Sequence, residues 1–336
     1  MKGHGPLPVP MPFLRILLLR LLTTAITLAG VAVIVFFVIR VVPGNPIAMM
    51  LPPGATEADI ARLSALYGLD KPLVAQFGIW LAGVVQGDFG QSYVRPRNGM
   101  VVAGGEYIDP TKSNMAPVID LVVERLPLTL MLAGMSLVFA LLVSVPLGIF
   151  GGLYPNRWPS SLALLVQSVF VSIPNFWLSI VLILFLSVKL GWMPALGYQG
   201  FAYVLLPAIV LAVEICPFLI RTLTVSLGEI MQAPFIDEAR VRGLSRWRIV
   251  IGHALRNAAV PLVNLLGMQL SVLIGGVLVV EYIFDYPGLG HLTVLSVVAR
   301  DFPLIQGIAI LTSAVFVFIN ILVDLITYAI DPRVEL

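Results

Sequence analysis

Residues 234–256 read Pro234-Phe-Ile-Asp-Glu-Ala-Arg-Val-Arg-Gly-Leu-Ser-Arg-Trp-Arg-Ile-Val-Ile-Gly-His-Ala-Leu-Arg256, a charged stretch between two long apolar runs. Asp237 to Arg242 predicts a short helix. Gly243 supplies the left-handed residue that closes it, and Ser245 is placed to cap a second helix running toward His253. The expected product is a bent helical elbow spanning roughly 228–256, with the small Ala239 at its tip and Gly243 at its corner. An elbow of this kind, projecting from a membrane, suits docking into a groove on another protein. A basic loop is also a plain topogenic signal, and Arg246 and Arg248 suit anionic lipid headgroups equally well. Against the plain signal stand the internal caps and the apolar residues Phe235, Ile236, Leu244, Trp247, Ile249 and Val250, too many for a solvated face.

The rest of the chain is far less polar. Of its 336 residues 59% are hydrophobic and only 11% charged, against roughly one quarter charged in soluble domains, so it is a polytopic membrane protein. A net charge of +2 gives no ground for nucleic-acid binding, because these charges are placed by topology. Cys216 is the single cysteine, so no intrachain disulfide forms. There is no Gly-x-x-x-x-Gly-Lys-Ser/Thr phosphate loop, and the chain is not expected to hydrolyse ATP itself. His4, His253 and His291 are scattered and form no His-Glu-x-x-His pair.

Taken in order, residues 1–12 read as a disordered, Pro- and Gly-rich tail, and 13–40 as the first transmembrane helix, with nineteen uncharged residues from Leu21 to Ile39. Residues 41–124 form the one substantial segment outside the bilayer. In it Thr56 to Asp59 caps a short helix bearing Ile60, Leu63 and Tyr67, and Pro72 starts a second with an apolar stripe of Leu73, Phe77, Trp80, Leu81 and Val84. That stripe is expected to lie on the membrane or to pack a small subdomain. Arg95 to Met115 reads as a polar loop. Residues 125–333 hold five further helices. Leu126–Asn156 and Trp158–Val188 each run 31 residues without a charge around a turn at Arg157. Gly148 to Gly152 allows close helix approach. Spans at about 201–220, 257–280 and 303–329 complete a set of six.

Glu214 stands near the middle of the fourth span. A carboxylate there costs about 2.5 to 3.5 kcal/mol unless it meets water or a polar partner, which makes it the candidate for a translocation pathway; a packing role is the alternative. Asn320 and Asp324, one turn apart, suit interhelical hydrogen bonding better than a proton relay. With both ends in the cytosol the inside segments hold eleven Lys and Arg against Lys189 and Arg300 in the short outside loops. This places the elbow on the side that holds ATP.

The motifs carry a family resemblance. Asp237-Glu238-Ala239, Gly243 and His253-Ala-Leu-Arg256 resemble the Glu-Ala-Ala, Gly, Ile-x-Leu-Pro loop of ABC importer permeases, in the variant of the dipeptide, oligopeptide and nickel branch. Gly68-Leu-Asp-Lys-Pro72, Gly87-Asp-Phe-Gly-Gln-Ser-Tyr93, Ser172-Ile-Pro-Asn-Phe-Trp177, Glu281-Tyr-Ile-Phe-Asp-Tyr-Pro-Gly-Leu-Gly290 and Asp331-Pro-Arg333 extend it along the chain. The resemblance implies an all-α, six-helix type I importer permease. Its partners would be a second homologous permease subunit, two ATPase subunits that hold ATP and magnesium, an extracytoplasmic solute-binding protein and membrane lipid, with no cofactor on this chain. It implies the cytoplasmic membrane of a bacterium or archaeon, and Asp237, Glu238, Ala239, Gly243, Leu244, Arg246 and Arg248 as the ATPase-coupling residues. Di- and oligopeptides are the cargo expected first, with nickel, glutathione or an opine as alternatives. A stand-alone secondary transporter and a membrane enzyme are the competing classes.

Overall fold

The long apolar runs are helices in the computed structural model, which describes residues 13–41, 56–66, 68–96 and 115–330. The expected tail at 1–12, the loop interior 97–114 and the ending Asp331-Pro-Arg333 lie outside the described residues. In chain order the elements are α1 Phe13–Val41, α2 Glu57–Leu66, α3 Leu73–Val85, β1 Gln91–Pro96, β2 Met115–Pro117, α4 Val118–Leu153, α5 Trp158–Ser172 and α6 Asn175–Leu182. The chain continues through a π-helical stretch at Ile183–Lys189, α7 Ala202–Ile230, α8 Pro234–Val241, α9 Arg246–Ile249, a second π-helical stretch at Val250–Ala254, α10 Leu255–Gly276, α11 Leu278–Ile283, α12 Leu289–Val298 and α13 Phe302–Ile330. Among the described residues five helical stretches are long and apolar enough to cross a membrane, and a bent pair makes a sixth if it is counted as one span.

Three expectations are corrected. The run from 158 to 188 is not one rod: α5 and α6 meet at 91°. Pro174 has no N–H to donate and pushes the residue before it out of the helical region, and Ile173 is accordingly extended at φ −94°, ψ 113°. The chain is an all-α bundle as expected, but where the sequence reads as a loop it also holds a short antiparallel ribbon in which Gln91 pairs with Pro117 and Pro96 with Met115. The ends of the supposed loop at 95–115 are therefore paired strand. The second arm of the elbow and the fifth span are not separate helices: α9, the second π-helical stretch and α10 run on from Arg246 to Gly276. No residue between Trp247 and Asn257 breaks a helix, and the backbone widens at Gly252 into a π turn without stopping.

The chain divides into two compact units, a larger one of residues 1–24, 130–286 and 316–336 and a smaller one of 25–129 and 287–315. In the smaller unit Val118, Val122, Leu289, Leu292, Leu304 and Ile308 form the core. The α3 stripe divides: Phe77 and Trp80 pack edge-on and tilted against Phe36 of α1, and Leu73 is exposed. Arg40 lies over the Phe36 ring, 3.5 Å from its centroid, and donates to Gln76 at 3.1 Å.

Asp301, only 1% exposed, fastens the ribbon of this unit to the start of α13. Its carboxylate accepts from the Ser92 hydroxyl, from Tyr93 N–H at 3.0 Å and from Leu304 N–H at 3.4 Å. Burial pushes this carboxyl above the usual carboxylate range, against the opposing pull of these bonds and of Arg95. The folded state therefore holds a proton that the unfolded state has lost in the window between the ordinary and the raised value. Stability falls as pH rises through that window. Asp301→Asn keeps an acceptor for the two amides and is expected to flatten this dependence. Asp301→Ala leaves the Ser92 hydroxyl proton and both amides without their acceptor and is expected to cost about 1–3 kcal/mol, read as unfolding temperature against pH for the purified protein.

Within the larger unit α7 is the central helix: 67% of its most apolar window is buried, against 33% or less in the other four unbroken spans. Glycines on α4 make this possible. A Cβ at Gly148 would stand 2.5 Å from Leu223 Cβ, and one at Gly152 would stand 2.8 Å from Leu227 Cβ and 2.9 Å from the Thr224 carbonyl. The backbone carbonyl has no rotamer by which to yield, so Gly152→Ala is expected to cost about 1–3 kcal/mol as overpacking. A lowered unfolding temperature in detergent checks this, and an unchanged one would mean that the helices separate freely.

Candidate functional site: the helical elbow and the charged face of α7

The elbow is built by local rules that follow the sequence closely. Pro234 occupies the first turn of α8 behind the extended Ala233. Gly243 takes φ +76°, its N–H bonds to Arg240 at 2.9 Å, and Leu244 N–H bonds to Ala239 at 3.2 Å. This pair of bonds is a Schellman closure, complete with an apolar contact between Leu244 and the Ala239 cluster. Ser245 stands in the N-cap position of α9 with extended backbone, but its hydroxyl makes no capping bond. The turn is thus closed by backbone geometry on one side only.

Ala239 is not at an exposed tip. It is 7% exposed and packs with Ile236 and Ile249, bordered by Ile230, Met231 and Leu244. The three-residue spacing of Ile236 and Ala239 turns both toward α9, so the small side chain lets the two arms of the elbow close. The outer surface consists of Phe235, Val241 and Trp247, all exposed, among charges. Asp237 bonds Arg240 at 2.9 Å and Glu238 lies 3.8 Å from Arg242. These exposed pairs contribute little to stability. Arg248 is exposed.

Arg246 carries a contact that sequence reasoning missed. Its guanidinium donates to the Leu153 carbonyl at 3.0 Å and lies 4.6 Å from the Tyr154 ring centroid. It thereby ties the elbow to the turn between α4 and α5, where Asn156 is left-handed at φ 60°. A cleft of about 590 Å³ opens beside this tie, lined by Gly152, Leu153, Arg240, Leu244, Arg246 and Ile249. No pattern in either stretch marks this contact.

Glu214 lies on the exposed face of α7, and its carboxylate accepts from the Asn175 side-chain amide at 3.1 Å. Asn175 opens α6 immediately after the break at Pro174. Asn320 donates to Ser271 at 3.3 Å, as interhelical bonding requires, and Asn264 accepts from Thr327 at 2.7 Å. Asp324 instead pairs with Arg20 at 2.9 Å, a partner counted in the sequence only as a topological charge. No group of three or more metal-ligating side chains occurs among the described residues.

Residues 144–336 match the family model described as binding-protein-dependent transport system inner membrane component, and residues 13–133 match the model of the N-terminal part of such membrane components. The chain is 35% identical over 316 residues to the glutathione transport system permease protein GsiC of Escherichia coli K12, covering 94% of this chain and 97% of that protein. It is also 35% identical over 322 residues to GsiC of Salmonella typhimurium LT2, covering 96% and 99%. An inward-facing structure of the MetNI methionine ABC transporter matches with a TM-score of 0.52 at 22% identity, over 63% of this chain and 97% of that chain.

Proposed function

Given that the chain belongs to the family of binding-protein-dependent transport system inner membrane components, and is a transport permease subunit and not an enzyme, we propose that it forms half of the pathway of an ATP-driven importer for glutathione. The general peptide cargo expected first is thereby narrowed, since the curated relatives at 35% identity are glutathione permeases over nearly their whole length. A second permease subunit completes the pathway, two ATPase subunits grip the elbows from the cytosol, and a binding protein delivers cargo from outside. Both termini then lie in the cytosol.

One observation carries the coupling role. The elbow is a self-packed body, closed by the Gly243 turn and the Ile236, Ala239 and Ile249 cluster, yet it presents Phe235, Val241 and Trp247 outward. A body packed within and apolar without transmits force when a partner covers it. Closure of the ATPase pair draws the elbows together and rocks the helices between inward-open and outward-open states. Glu214 lines the pathway in this reading. Purification from the native membrane tests it: two nucleotide-binding subunits and a second permease are expected to accompany the chain, with ATP-driven uptake of glutathione in vesicles supplied with loaded binding protein. A chain that transports alone, or an assembly that takes up other peptides and not glutathione, would contradict it.

A further inference from the structure

The buried central helix α7 leaves one face uncovered, and that face is charged. Glu214, Phe218, Arg221 and Val225 are exposed at spacings of four, three and four residues, which is one stripe along a helix. Around them Ile215, Cys216, Pro217, Leu219, Ile220 and Leu223 are buried. Along α7, which runs from 202 to 230, Glu214 stands about 18 Å from the start, within the span expected at 201–220, and Arg221 about 28 Å from it, at the cytosolic end of that span. A carboxylate facing hydrocarbon at the depth of Glu214 is costly, so the stripe meets water or polar matter there. Asn175 orients the Glu214 carboxylate at 3.1 Å. Arg221 has no hydrogen-bond or ion-pair partner among the described residues.

From this geometry we infer that Glu214 and Arg221 form a two-point filter that reads the ammonium and the carboxylate at opposite ends of a short zwitterionic cargo. The two positions are separated by seven residues, about 10.5 Å of helix rise. An extended chain advances about 3.3–3.6 Å per residue, so the spacing fits a cargo of about three residues. A single amino acid reaches one charge at a time, and a long peptide overshoots both. Phe218 lies between the charges and offers an apolar contact to the middle of the cargo. This inference rests on the permease reading and adds to it the residue that answers Glu214 and the length that the pair selects.

The test uses the assembled importer in vesicles, with binding protein preloaded and saturating, and glutathione or its glycine monoethyl ester as cargo. Glu214→Gln and Arg221→Gln are each expected to lower glutathione uptake about tenfold, the effect of about 1.4 kcal/mol. Glu214→Asp and Arg221→Lys, which keep the charge, are expected to retain uptake within about threefold, below that tenfold step. Arg221→Gln alone is expected to erase any preference for the free acid over the ester. In a Cys216→Ser background, Glu214→Cys and Arg221→Cys are expected to react with a charged, membrane-impermeant thiol reagent about tenfold faster than Leu165→Cys, an exposed apolar control. Equal labelling of all three would show a dry stripe and overturn the inference. So would unchanged uptake in both glutamines, or a loss of the second permease subunit from the purified complex, which would make the stripe a subunit contact. Absence of ATP-driven uptake in the wild-type assembly would instead overturn the permease reading itself.

Discussion

Gly243→Glu is expected to abolish cargo uptake in the assembled importer while the chain still inserts in the membrane. The residue sits at φ +76° with no atom near enough to block a side chain, so space is not the obstacle. A non-glycine residue in left-handed backbone costs roughly 1–2 kcal/mol, and the added carboxylate stands at the corner a partner must cover. Ala239→Asp reaches the same end from inside, by placing a carboxylate between Ile236 and Ile249, where an uncompensated charge costs about 3–5 kcal/mol. Shifting a two-state equilibrium from about 1:99 to 99:1 takes about 5.5 kcal/mol of differential binding. A handle weakened by several kcal/mol no longer delivers that shift. Membrane fractionation reads insertion and vesicle uptake reads coupling; wild-type uptake by both variants, in an otherwise intact complex, would remove the elbow from the mechanism.

Arg246→Ala is expected to uncouple transport from ATP hydrolysis and leave the elbow folded. The guanidinium bonds the Leu153 carbonyl and lies over Tyr154, so it joins the elbow to the turn leading into α5 and, beyond the break at Pro174, to Asn175 and Glu214. A hydrogen bond from a charged group contributes about 1.5–3 kcal/mol, equivalent to roughly tenfold or more in a coupled equilibrium. Cargo moved per ATP is expected to fall by about that factor, with basal hydrolysis kept. Arg246→Lys is expected to recover only part, because an ammonium cannot bond the carbonyl and stack on the ring together. The same loss in vesicles with and without anionic lipid supports the protein contact; a loss confined to anionic vesicles would assign Arg246 to the headgroups.

The elbow was legible from sequence because its determinants are local. Pro234, Gly243 and the apolar spacing of Ile236 and Ala239 act within a few residues of where they stand, and the Schellman closure forms as the glycine dictates. Close helix approach at Gly148 and Gly152 was legible for a similar reason, but not that the approaching helix is α7. What escaped depends on residues far apart in the chain. Ser92 meets Asp301 across 209 positions and Arg246 meets Leu153 across 93, and neither partner is marked by pattern. The ribbon at 91–96 and 115–117 escaped because strand pairing over a long intervening segment leaves no periodic signal. Pro174 was visible, but the 91° bend it produces was masked by the unbroken hydropathy on both sides of it. The inward turn of Ala239 follows from its spacing to Ile236, yet only the fold of α9 back onto α8 reveals what that face covers.

Everything in the coupling account depends on who touches the outside of the elbow. Val241, 88% exposed, is the position to ask. With Cys216 replaced by Ser, Val241→Cys in the assembled importer is treated with a short bifunctional thiol reagent, with Asp88→Cys, in the segment that the proposed topology assigns to the outside, as the control. The account predicts a cross-link from position 241 to a nucleotide-binding subunit whose yield changes with ATP, and none from position 88. A thiol at position 241 that reacts only from the compartment without nucleotide, or that joins no ATPase subunit while uptake proceeds, would contradict it.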